Sequence, residues 1–269
     1  FSSVIIFVEL QPKGGCVEMQ ELKDILLSQA QDLGANLCGV ADLTTDSQWI
    51  RENYGDLCAS FPRAVSIAIF FPREIIQEQA VGPTRSYSYF YAAINRQLDS
   101  IGFRLSNFLQ QKGFRSYPIP TSDYRQTHLV PGLQEQVAVK GTEGFEKMQT
   151  ELMGMFSHRF AASHAGLGWI GKSCHLINPQ VGPRLRLTTI LTNAPLPPDQ
   201  PISNRCGGCT RCRDACPSHA IVGIPFRPET PPAERFHKEI CYNFLEDLSV
   251  VFGQHTCAKC LAACPWGSK

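Results

Sequence analysis

Residues Cys206 to Pro217, CGGCTRCRDACP, constrain this chain more than any other stretch. Cys206, Cys209 and Cys212 stand two residues apart from one another, and Cys216 follows after three more with Pro217 behind it. That spacing wraps three thiolates around one face of a [4Fe–4S] cube, while the fourth cysteine, on the helix that follows, points to a second cube. The pattern therefore predicts more cysteines downstream, and Cys257, Cys260 and Cys264, with Pro265 after them and Cys241 upstream, supply them. Joining Cys216 to Cys241, Cys257 and Cys260, and returning Cys264 to Cys206, Cys209 and Cys212, uses all eight in two cubes. Structural zinc and disulfides also use paired cysteines. Zinc sites, however, seldom add a third cysteine two residues on and a Cys-Pro after three more.

Length and charge bound the rest. A chain of 269 residues is long enough for a large domain with a smaller one attached. A net charge of +1 gives no bulk basic signal for nucleic acid. Twelve cysteines would suit a secreted scaffold if scattered, but eight in a pattern that needs reduced thiolates point to the cytoplasm. The apolar run Val4 to Leu10 is far shorter than the ~20 residues that cross a bilayer, so no membrane association is expected. We read 1–18 as a leader or extra strand, 19–200 as an α/β cofactor and substrate domain, and 201–269 as a ferredoxin-like domain.

Periodicity fills in that α/β (α+β) architecture. Leu22, Ile25, Leu26 and Leu33 recur at helical spacing before Gly34. Leu37 to Ala41 reads as a short buried strand. Ala64 to Phe71, AVSIAIFF, bounded by prolines, reads as a central strand covered on both faces. Tyr87 to Lys112 carries apolar residues at three- and four-residue steps, an amphipathic helix. Arg115 to Ile119 and Leu185 to Leu191 read as strands and Thr142 to Met155 as a helix, while Pro118 to Gly144 is too broken to assign. The glycines of SHAGLGWIGK lack the strand and the spacing of a dinucleotide fingerprint. They are better suited to letting backbone approach something flat.

HAGLGWIGK (His164 to Lys172), CGGCTRCRDACP, the ICYNFL around Cys241 and the closing CAKCLAACPW resemble the epoxyqueuosine reductases in order and spacing, and FPRAVSIAIF is similar to their N-terminal strand. The resemblance implies a cobalamin held between the α/β domain and a ferredoxin-like domain with two [4Fe–4S] clusters. Cys206, Cys209, Cys212 and Cys264 would hold one cluster, and Cys216, Cys241, Cys257 and Cys260 the other. Arg159, Ala165, Gly166, Gly168, Trp169, Gly171 and Lys172 would meet the cobalamin. Leu152 stands where the family has its catalytic aspartate, and the chain ends at Lys269 without the helical-repeat extension many members carry.

Two residues are candidates for the missing proton donor: His158, which titrates in the useful range, and Glu151 beside Leu152. Arg184, Arg186, Arg205, Arg211 and Arg213 concentrate positive charge near the clusters, suited to an acidic electron donor such as a ferredoxin or flavodoxin. The expected activity is reduction of a small molecule or modified nucleoside, with tRNA as a conceivable carrier that the charge does not favour. An alternative is a ferredoxin-like carrier that docks a partner and binds no corrinoid.

Overall fold

The computed structural model describes residues 16–122, 154–227, 229–253 and 255–268. Residues 1–15 of the expected leader and most of the Thr142 to Met155 helix lie outside them, and residues 16–18 open the first helix. Helix α1 (Cys16–Asp32) buries Leu22, Leu26 and Ala30 at four-residue steps. Ile25, expected on that face, is exposed. Gly34, at φ +96°, turns the chain into β1 (Leu37–Asp42). Helix α2 (Ser47–Ala59) leads to β2 (Arg63–Phe70), a short α3 (Arg73–Gln77) follows, and α4 (Arg85–Gln111) runs to β3 (Ser116–Ile119). The hydroxyl of Thr84 caps α4 by accepting from the Tyr87 N–H at 3.2 Å.

After the segment outside the described residues come α5 (His158–His164), the paired strands β4 (Trp169–Ile170) and β5 (Leu176–Ile177), and β6 (Leu185–Thr192). The main sheet runs β1-β2-β6-β3, every neighbouring pair antiparallel. β2 is central as expected, and Ala64 through Ile69 are all buried because both of its faces are covered.

The two faces differ in side-chain size. On one, Val65, Ile67, Ile69 and Ile190 pack on Leu26 of α1 and Leu98, Ile101 and Leu105 of α4. On the other, Ala64 and Ala68 face Ala161 and Ala162, so α5 lies close against the sheet. Burying each large aliphatic side chain on the first face contributes roughly 1.5–3 kcal/mol. On the second face Ala68 is fully buried against α5, so enlarging it would overpack that contact.

The C-terminal segment carries α6 (Arg211–Asp214), α7 (Pro232–Arg235), α8 (Lys238–Phe252) and α9 (Lys259–Ala262). It is braced on the sheet domain rather than tethered to it. Ala258 and Leu261 share a core with Tyr87 and Phe71, and the Ser88 hydroxyl donates to the Phe252 carbonyl at 3.3 Å. The buried Arg184 donates to the carbonyls of Gly267 and Phe71, both at 2.9 Å, which ties the end of the segment to the end of β2. Among the described residues no helix is long and apolar enough to cross a membrane.

Candidate metal centre

The fold sorts the eight motif cysteines into two groups. Cys206, Cys209, Cys212 and Cys264 line a single cavity together with Lys172 and Trp266. Cys241 lies within electrostatic range of Cys216 and Cys257, and Cys260 within range of Cys257, Cys241 and Cys216. Cys260 also feels Cys212, so these two residues mark where the groups meet. Helix α9 carries Cys260, and Cys264 follows it after the helix ends at Ala262.

Burial pushes the Cys212 and Cys241 thiols up to about 11, and neighbouring thiols add to the effect. Four such groups stay charged side by side only when a metal centre compensates them. Among the described residues no three His, Cys, Asp or Glu side chains are arranged to hold a single metal ion. The number and spacing of the cysteines fit two [4Fe–4S] clusters.

The segment expected to face a cobalamin is buried against the chain itself. A Cβ on Gly168 would come within 2.3 Å of the Ile177 carbonyl oxygen, and one on Gly166, where φ is +70°, within 2.5 Å of the Gln200 oxygen. A Cβ on Gly171 would meet Ile177 Cγ1 at 2.6 Å and Cys206 Sγ at 3.4 Å. The space these glycines leave is filled by protein, which differs from the expectation of a flat ligand. Ala165 is buried as well. Trp169, 2% exposed, donates its indole N–H to Cys206 Sγ at 3.5 Å and packs edge-on against Trp266. Lys172 is buried and donates to the Cys209 carbonyl at 3.0 Å. Arg159 is exposed and donates to the Cys174 carbonyl.

His158 opens α5, the helix that precedes the glycine segment. Its Nε2–H donates to the Pro120 carbonyl at 3.0 Å, so Nδ1 accepts from the Thr189 hydroxyl at 2.9 Å. Burial pushes its pKa down to about 4, and the imidazole is neutral near pH 7 with both nitrogens engaged. That suits a brace between α5, β3 and β6 better than a free acid. Glu151 lies outside the described residues.

A polar patch that the motifs did not announce lies next to His158. Arg186 donates to Asn95 Oδ1 at 2.9 Å and to the Thr121 carbonyl, and its guanidinium covers the Tyr91 ring at 4.2 Å. His175 is held down to about 4, first by burial and then by Arg159. Among the described residues the buried hydroxyls of Thr121 and Ser122 have no partner. Of the five arginines expected to form a basic face, Arg184 is buried and Arg186 is half-buried and held by Asn95, while Arg205, Arg211 and Arg213 are exposed, Arg213 pairing with Asp214 at 2.8 Å.

An antiparallel α/β domain braced against a segment with two tetrads of cysteine is the architecture of a dicluster iron–sulfur protein, and the family model for a 4Fe-4S dicluster domain matches residues 205–268. An epoxyqueuosine reductase from Leadbetterella byssophila is 25% identical over 93% of this chain and 81% of its own length. Another, from Bacillus cereus, is 46% identical over 69 residues, 26% of this chain. The chain spans only 18% of the Bacillus cereus protein in that match. A solved reductive dehalogenase shares the fold, with a TM-score of 0.62 at 17% identity over 96% of this chain and 34% of that one. The chain is therefore similar to the epoxyqueuosine reductases along most of its length, and it shares its fold with a solved reductive dehalogenase.

Proposed function

We propose that this protein is an iron–sulfur reductase in which two [4Fe–4S] clusters pass electrons to a bound cobalamin that reduces an organic substrate. The observation that carries this reading is the gathering of eight cysteines into two adjoining tetrads on a domain that matches epoxyqueuosine reductase along most of its length. Relatives are named epoxyqueuosine reductases, and a fold relative is described as supporting B12-dependent dehalogenation. A modified nucleoside, carried on tRNA or free, is the substrate class those names favour, with an external ferredoxin or flavodoxin as electron donor. A carrier that binds no corrinoid is not favoured, because the match extends well beyond the cluster segment.

The residues divide the work. Cys206, Cys209, Cys212 and Cys264 would hold one cluster and Cys216, Cys241, Cys257 and Cys260 the other, and the meeting of Cys212 with Cys260 sets the short span between them. Cobalamin, when bound, supplies a metal that accepts single electrons and delivers them to carbon. The hydroxyls of Thr121 and Ser122, without a partner among the described residues, and the exposed Arg159 would supply polar groups suited to its amide-rich rim. Arg186, fixed by Asn95 and Tyr91, offers a half-buried positive charge to a polar substrate, and His158 holds the Pro120 turn in place behind it.

Anaerobic reconstitution tests the proposal. The protein is expected to take up about eight irons, as two cubes require, and to change the visible spectrum of added cobalamin on binding. Zinc in place of iron, or iron uptake with no binding of cobalamin, would refute it.

A further inference from the structure

We infer that Trp169 and Lys172 are positioning residues for the first cluster, and that they raise its reduction potential above the value its four thiolates alone would set. The inference rests on the cluster reading above and changes what these two residues are for, since the resemblance implied contacts to cobalamin.

Trp169 is 2% exposed, and its indole N–H points at Cys206 Sγ, 3.5 Å away. A buried donor needs a partner, and a thiolate accepts more strongly than a neutral group. The ring cannot easily turn elsewhere. Trp266 meets it edge-on with centroids 5.1 Å apart, Arg205 lies over it at 5.9 Å, and β4 is pinned to β5 at Trp169 and Ile177. Lys172 is 7% exposed, lines the cavity of the same four cysteines and donates to the carbonyl of Cys209. Its ammonium charge is therefore fixed beside the first tetrad in a poorly screened position.

The two tetrads are unequally supplied. Besides Trp169, the first receives backbone N–H groups from Arg213 at Cys212 and from Trp266 and Gly267 at Cys264. For the second, the described residues show the Lys259 N–H at Cys257 and the Ser218 hydroxyl 3.6 Å from Cys216. Reduction of a cube adds one electron and one negative charge, with no bond broken and no proton required. Hydrogen bonds to the sulfurs favour the more negative state and raise the potential, and a nearby buried cation acts in the same direction.

The test is an anaerobic redox titration of the reconstituted protein, followed by electron paramagnetic resonance with dithionite as reductant. Trp169→Phe keeps the ring and removes the N–H; Lys172→Met keeps the length and removes the charge. Each is expected to lower the reduced-to-oxidised ratio of one cluster about tenfold at a given poise, a shift of about 59 mV for one electron. The other midpoint stays in place, and Lys172→Arg recovers most of the wild-type value. Two wild-type midpoints that neither substitution moves, or that both substitutions move together, would overturn the inference while leaving the clusters intact. Loss of iron from both variants would assign the residues a purely structural role and overturn it too. Wild-type protein without cubane signals would instead remove the clusters and, with them, this inference.

Discussion

Replacing Gly168 with alanine separates two explanations for the glycine segment. If the glycines make room for a flat cofactor, an added methyl costs binding and leaves the fold alone. If they make room for the chain, it costs stability. The methyl carbon would lie 2.3 Å from the Ile177 oxygen and 2.8 Å from its carbonyl carbon. Both are backbone atoms of β5, whose Leu176 and Ile177 are each 2% exposed, so the clash cannot be relieved by turning a side chain. Overpacking of this kind costs roughly 1–3 kcal/mol, and with no soft neighbour the upper end applies. For a domain of this size about 3 kcal/mol lowers the melting midpoint by roughly 6–12 °C. Gly82 is the control, because a Cβ there meets nothing within 4 Å, and Gly82→Ala is expected to stay within about 0.5 kcal/mol of wild type. Circular dichroism melts of the anaerobic protein at one scan rate read the difference. A Gly168→Ala variant that melts with Gly82→Ala but loses affinity for cobalamin would refute the reasoning.

Arg184→Met removes both donors that tie Gly267 to Phe71 and leaves two carbonyls without their charged partner; iron analysis is expected to fall from about eight toward four per chain as the Cys264 end loosens. Retention of the full complement would deny Arg184 that role. His158 and His175 are both depressed from 6.5 to about 4, so the unfolded chain binds protons first. Their contribution to stability is complete above pH 6.5 and is lost as pH falls toward 4, by at most roughly 3 kcal/mol each, less whatever partial exposure screens. Denaturant midpoints across that range check it, and His158→Gln should flatten the slope.

Most of the frame was legible because it follows from local rules. β2 shows its apolar run between prolines, α4 its three- and four-residue steps, and α1 its stop at Gly34. The dicluster segment was legible for a stronger reason: a cube fixes both the number of its ligands and the loop that presents them. Ile25 was misplaced because two helical faces of α1 are equally apolar in sequence, and only the sheet chooses between them. The roles of the glycines were hidden because a sequence shows that a Cβ is missing but not what occupies the space. Arg186 and Tyr91 stand 95 residues apart, and their stacking depends on the register of β6 against β3 and α4, which no local signal carries. Trp169 and Lys172 sat inside a recognised motif, yet their partners, Cys206 and Cys209, lie in another segment.

Ile177 explains why one short segment serves both packing and chemistry. Its carbonyl closes over Gly168 and its side chain over Gly171, and it also lines the cavity of the first tetrad. Any residue larger than glycine at those two positions would lift β4 off β5. Trp169 sits between them, so the same displacement would carry its indole N–H away from Cys206. The glycines therefore act on the cysteines at second hand, by holding a strand close enough for its tryptophan to reach sulfur. A substitution that spares the fold but shifts β4 by half an ångström would be silent in a melting experiment and visible in a cluster midpoint.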